Sequence, residues 1–534
     1  MRILRSPLWL FSLGLASSQN LAEIEKKISD FTLGNGMHFI VIERPQAPVV
    51  SFHLLVNAGT VNDPGGQTGM AHMFEHLFYK GTETLGSSSV TLEKKALAEI
   101  ETAYDMLEDE RRKGSRADPK LVQKYDSLLK VAIQTAGAFV AQGVYPGIIR
   151  QNGGAGLTAA AGPDTTSFSY TLPSNRLELW FMLQSDWIRK PVYRDFYKER
   201  DALLEKRKRL IETDLRGRLH ALLLSTAFSA HPYRVSIGWP GDIQALRATA
   251  AEVFHRNNYA PANLTAAIAG DIRLADARRL AEKYFGSIAS GPGPTLVNTT
   301  EPEQDGERRA TLEIAGAPEI LVAFKRPEQT HADDPAWEVI AHVLAGGRTG
   351  LLHEELVKTG TAVEVTARAS WPGGKYPGLF VLSAIPAVGH DAAENEAGVD
   401  AALEMLRRAP LSDVGLQRAK VNLRAAFLRT LDDNPTLLAQ SALHHVRFGT
   451  WKAMFTRLDA IDRVTAADVL RAARQYLGPK MRTVVSIEPP RVIEAIPPVV
   501  TSQTAPDPGR PASVGRPLPS VRVPAVPPGR RRRP

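Results

Sequence analysis

The sequence predicts a chain of two like halves, each mixing antiparallel strands with helices. Three observations point there. Short β-rich runs surround Asn35-Gly36 and Pro45 in "FTLGNGMHFIVIERPQAPVVSFHLLVNAG", the pattern of antiparallel strands joined by tight turns. Other stretches space apolar residues for a helix, as Leu97, Ile100, Tyr104 and Leu107 do. After a polar, Pro/Gly-rich linker at 287–310, the order strands, helix, strands, helices begins again. The 534 residues leave room for about three or four domain-sized units.

The elements follow in order. Arg2 and Arg5 precede a short apolar run, Leu8 to Ala16, and Ala16 and Ser18 suit a cleavage site, so residues 1–18 read as a secretory signal peptide. Export to the periplasm or the extracellular space is expected. The N-terminal domain spans 30–286. Asp63-Pro64-Gly65-Gly66 opens a helix expected to start near Gln67. Residues 89–141 read as an inserted helical hairpin, turned by "KGSRADP", with Asp118 as N-cap and Pro119 as the first helical residue. Strand character returns from Leu157 to Pro173. A helical stretch through "LELWFMLQSDWIRKPVYRDFYKERDALLEKRKRLIE" follows, and then the strand "NLTAAIAGDI". The second domain, 311–488, restarts with the strand "EILVAFKRP", the helix in "PAWEVIAHVLAGG", and the strands "AVEVTARASW" and "GLFVLSAIP". Proline and arginine dominate 489–534, where a packed core is not expected.

Composition narrows the chemistry. With 43% hydrophobic and 23% charged residues the chain is ordinary for a globular protein. There is no cysteine, which excludes disulfides, thiolate ligands and a cysteine nucleophile. Of the formal charge of +8, eight arginines against Glu494 and Asp507 put +6 in the tail from Arg491 onward. The body lacks the basic-aromatic pattern of a nucleic-acid groove, and no segment after the leader is apolar enough for an integral membrane helix.

One stretch carries chemistry: "GMAHMFEHLFYKGTETLG", from Gly69. On a helix, His72 and His76 share a face at i and i+4 and can direct two imidazoles at one zinc ion. Glu75 flanks that face as a general base for metal-bound water, whose pKa zinc lowers to about 7. The order H-x-x-E-H is the inverzincin pattern. The second half carries no such pentapeptide. His444-His445 and His231-Pro232 read as structural.

Beyond the motif, "GNGMHFIV", "LPSNRLELWF", "FYKERD", "AFSAHPYR", "NYAPANLTAAIAGDI" and "LAGGRTGLLHEELVKTGTAVEV" complete a resemblance. The chain resembles the pitrilysin/insulinase family of zinc peptidases, in its short two-domain bacterial form, over roughly residues 30–488. The resemblance implies α+β domains, each with helices packed on a mixed, largely antiparallel sheet, the two forming half of a clamshell around a peptide. It also implies a zinc cofactor, a peptide substrate, and a homodimer or a heterodimer with a paralogous peptidase.

Two positions depart from that pattern. The family's third zinc ligand is a glutamate seven residues after the glutamate of a Glu-Arg pair; here the pair is Glu199-Arg200 and the position holds Lys206. Glu205 is adjacent, but one residue is a rotation of about 100° on a helix, so it becomes the third ligand only with a local register shift. In the strand expected to hold the substrate backbone, an Asn-Ala pair becomes Thr158-Ala159. The expected function is a zinc metalloendopeptidase acting on peptides or unfolded segments, with His72, His76 and Glu205 on the metal and Glu75 as base. The alternative is a non-catalytic subunit paired with an active paralogue, in which the Lys206 ammonium neutralises Glu75 in the metal's stead.

Overall fold

The structure, a computed structural model, describes residues 21–490. The expected signal peptide and the tail from Arg491 lie outside that range. Eleven strands among the described residues form two sheets.

The first sheet has the order β1-β2-β6-β3-β5-β4. Its strands are β1 (Ile28–Thr32), β2 (His38–Glu43), β3 (Val49–Val56), β4 (Ala155–Ala161), β5 (Thr166–Pro173) and β6 (Leu264–Gly270). Only β2 and β6 pair in parallel; the other neighbours are antiparallel. The second sheet has the order β7-β11-β8-β10-β9. It is built from β7 (Arg308–Glu313), β8 (Glu319–Arg326), β9 (Ala362–Trp371), β10 (Gly378–Pro386) and β11 (Arg482–Glu488). Again one pair, β7 with β11, is parallel. Apart from β1, which extends the edge of the first, the two sheets repeat one five-stranded topology, an α+β architecture of mixed, largely antiparallel sheets with helices on them. The strands β7 and β11 were not anticipated from the sequence.

Each sheet is buried on both faces, which explains uninterrupted apolar strands such as β6, "LTAAIAG", buried throughout. On one face of the first sheet, Phe39, Phe52, Leu54, Ala266 and Ile268 join the helices of the N-terminal half. On the other, Ile40, Ile42, Ala267 and Ala269 pack on Leu437, Leu438 and Ala442 of helix Asn434–Phe448, from the C-terminal half. The exchange is reciprocal. Helix Leu215–Ala227 of the N-terminal half sets Leu219 and Leu223 against Leu321, Ala323 and Val485 of the second sheet. Residues 21–490 form one compact unit.

The 89–141 segment is a helical hairpin of Val90–Arg111 and Pro119–Gly137, with Asp118 accepting the Lys120 N–H at 2.8 Å. No helix among the described residues is long and apolar enough to cross a membrane.

Candidate functional site

The motif helix runs from Met70 to Leu77, three residues later than the sequence suggests. The delay comes from Gly69, which turns the chain in the left-handed region at φ 103°. Asp63 then fastens the helix start, accepting the Gly69 N–H at 2.7 Å and the Ala71 N–H at 2.8 Å. Met70, Met73, Phe74 and Leu77 are buried in the first core, with Phe74 stacked on Tyr259 at 4.7 Å between ring centroids. Burying that face turns His72, Glu75 and His76 toward helix Phe196–Arg207, which carries Glu199 and Lys206.

Seven side chains form two polar groups, one around Glu75 and one around Glu199. His72 Nδ1 lies 3.2 Å from Glu75 Oε2, and the Lys206 ammonium donates to Glu75 Oε1 at 2.7 Å. His76 Nδ1 lies 3.0 Å from Glu199 Oε2, whose other oxygen takes Lys80 Nζ at 2.6 Å. Lys80 also reaches Asp195 at 3.3 Å. Burial pushes the Glu75 carboxyl up, but hydrogen bonds from His72 and Lys206 outweigh it and hold the group at about 2. The same contest leaves Glu199 below the ordinary carboxylate range, burial opposing the His76 and Lys80 bonds. Two ammonium groups, Lys206 and Lys80, thus face three carboxylates, Glu75, Glu199 and Asp195.

Do these residues fit zinc? With Nδ1–H given to a carboxylate, each imidazole keeps its Nε2 lone pair for a metal, and His76–Glu199 has the orienting arrangement of metal-binding histidines. The third position does not fit. Lys206 stands at the position the resemblance assigns to the third ligand, and its ammonium pairs with Glu75 at 2.7 Å. Glu205 is exposed on the flank of the helix, and the π-helical turn that shifts register, Lys208–Thr213, begins beyond it. Among the described residues no three His, Asp or Glu side chains are grouped to hold a metal ion.

The motif helix packs beside β4, the outer strand of the first sheet. Thr158 is exposed there, while Ala159 packs half-buried against the first core. A register shift between Ala155 and Thr158, with Gly156 at φ 67°, marks a bulge just ahead of them. Among the described residues the outer edge of β4 has no partner strand, so its backbone is open to another strand. Pro163 lies beyond the strand, its carbonyl accepting the Val61 N–H at 3.1 Å.

Two participants escaped the sequence reading. Lys80 sits four residues after His76, a spacing that could have flagged it on the motif face. Asp195, at φ 53°, carries no motif that would have marked it. His231 and the His444-His445 pair stand apart from this cluster. His231 caps its turn through Nδ1, which accepts the Tyr233 N–H at 3.1 Å. His445 stacks on His38 at 3.6 Å between the two halves.

Comparison with known proteins follows the same division of the chain. Residues 38–108 match the model of Insulinase (Peptidase family M16), and residues 246–423 match that of the Peptidase M16 inactive domain. The zinc protease PqqE of Helicobacter pylori is 23% identical over 487 residues, covering 89% of this chain and 96% of that protein. A protease from Helicobacter pylori of known structure superposes with a TM-score of 0.71 at 22% identity, covering 87% of this chain and all of that one. The periplasmic protease PqqL of Escherichia coli gives a TM-score of 0.62 at 14% identity, over 86% of this chain and 47% of PqqL.

Proposed function

We propose that this chain, which belongs to the M16 (insulinase/pitrilysin-like) peptidase family, is a peptide-binding member that does not itself hydrolyse. One observation carries the reading: the 2.7 Å ion pair between Lys206 and Glu75. The ammonium occupies the place of a metal-binding carboxylate and neutralises the group that would act as base. Lysine coordinates only when deprotonated, and losing that proton beside a dication weakens metal binding at neutral pH. What remains is a motif helix alongside an open strand edge, suited to holding an extended or unfolded segment by backbone pairing. In this reading the chain supplies half of a clamshell to an active paralogue. Export is the expected setting, resting on Arg2, Arg5 and the apolar run after them.

A second reading keeps the chain as a zinc metalloendopeptidase in its own right, with Glu75 as base and Glu205 completing the ligands. The observation in its favour is the His76–Glu199 bond, 3.0 Å long, which presets one imidazole for a metal. Metal content after dialysis and hydrolysis of a generic unfolded peptide separate the two. The first reading expects wild type to retain little zinc and to leave the peptide intact. Lys206→Glu should then gain zinc and hydrolysis, and adding Glu75→Gln should remove the hydrolysis and leave the zinc. Stoichiometric zinc in wild type, lost in Glu205→Ala, would establish the second reading instead.

A further inference from the structure

The inserted hairpin encloses space as well as packing on the domain. Between its two helices and the body lies a cavity of about 200 Å³, walled by Leu97, Ile100, Ile133, Ala136 and Phe196. An apolar protein cavity of about 150 Å³ is enough to hold benzene, so this one accepts a ring-sized group.

The polar groups in its wall are unequal in sign: Glu93, Glu101, Asp195 and Glu252 face a single guanidinium, Arg194. Three of the acids are already used. Glu93 takes Arg194 in a two-pronged bond at 2.5 and 2.9 Å. Glu101 takes Tyr197 at 2.5 Å and Arg247 at 2.9 Å, and Asp195 takes Lys80. Glu252 is solvent-exposed where the cavity wall continues outward, and it makes no hydrogen bond or ion pair among the described residues. Tyr193 completes the picture, its hydroxyl buried without a hydrogen-bond partner among the described residues. Leu97, Tyr193 and Glu252 also line a larger, more open groove on the other side, which supplies a way in.

An apolar slot, an unspent carboxylate, an unsatisfied hydroxyl and nearby aromatic rings suit one chemistry. We propose that this cavity binds a small organic amine with an aromatic or branched apolar body, its ammonium held by Glu252 and the Tyr193 hydroxyl. The rings of Tyr193 and Phe196 favour the same charge. This site does not depend on the peptidase or non-peptidase reading of the motif helix.

Calorimetric titration of the full chain with 2-phenylethylamine tests the proposal, with toluene and phenylacetate as controls. The amine should bind, and phenylacetate should not. Glu252→Gln should weaken the amine by roughly two- to fivefold, as loss of a solvent-exposed ion pair implies, and Tyr193→Phe by a similar factor. A blocking variant is at hand: Gly137 lines the cavity, and a Cβ there meets no atom within 4 Å. Gly137→Leu should therefore fold and abolish binding. Lys206→Glu should bind the amine as wild type does, whatever its own zinc and peptide results. Toluene binding as tightly as the amine, an amine affinity unchanged in Glu252→Gln, or no binding by wild type would each overturn the proposal.

Discussion

Lys206 shows how far one side chain can move a site. Where the family resemblance expects a carboxylate, Lys206 brings an ammonium, a difference of two charge units and as much as a zinc ion would supply. That position could be found by counting from Glu199, because helix spacing is fixed. The partnership of Lys80 with Glu199 could not, since it depends on how the chain bends after Leu77. Arg194 is a second buried cation that settles its surroundings: it is fully buried, pairs with Glu93, and donates to the carbonyls of Lys80 and Leu85 at 3.1 and 2.7 Å. Arg194→Ala should cost about 3–5 kcal/mol by leaving Glu93 buried and uncompensated. Urea unfolding followed by circular dichroism measures it. Arg194→Lys should recover little, because an ammonium cannot serve a carboxylate fork and two carbonyls at once.

At the scale of elements, boundaries depend on backbone features that apolar spacing does not register. The motif helix starts late because Gly69 adopts a left-handed conformation against Ile243, whose Cγ1 would lie 2.8 Å from an added Cβ. Gly69→Ala should therefore destabilise the protein by about 1–3 kcal/mol through strain and displacement of Ile243. Thermal unfolding reads the loss, and a change below a few tenths would contradict it. The strands that went unread have physical reasons too. β7, "RRATLE", is an outer strand whose alternate residues Arg309, Thr311 and Glu313 are exposed and polar, so its pattern resembles a loop. β11 follows a run of helices and becomes a strand by pairing with both β7 and β8, partners far away in sequence. The inserted hairpin, in contrast, was readable from its turn, since Asp118 and Pro119 set the start of its second helix by local chemistry alone.

Over the whole molecule, the histidines sealed in the core make stability depend on pH. His53 on β3 and His255 on helix Ala248–Asn258 are held neutral by burial, which lowers each to about 4. Burial is also the leading cause for His38 and His444, each likewise lowered to about 4. Between pH 6.5 and 4 the unfolded chain takes up protons that the folded chain refuses, so unfolding becomes easier as pH falls through that window. His53 and His255 should account for roughly 2–3 kcal/mol each. Asp63, raised to about 7 by burial, opposes this in the same window. Urea midpoints should therefore fall less steeply between pH 6.5 and 4 in His53→Phe than in wild type, and equal slopes would refute the assignment. His53→Phe would remove the titrating group but also the 2.7 Å contact with Ser169, so the slope of the profile is the proper readout rather than its height.

The crossed helices have a further consequence. Each half lends the other a cover: Asn434–Phe448 shields Ile40 and Ile42, and Leu215–Ala227 shields Leu321 and Val485. Either half made alone should be insoluble, with such a face open to water, whereas the two made together in one cell should be recovered as a soluble pair. The stretch 289–300, which lies outside regular secondary structure, then acts as a tether whose main service is to keep the halves at high effective concentration. A single protease nick there should leave two fragments that travel together through gel filtration and part only in denaturant. In its geometry the chain is an exchanged pair that happens to be covalently joined.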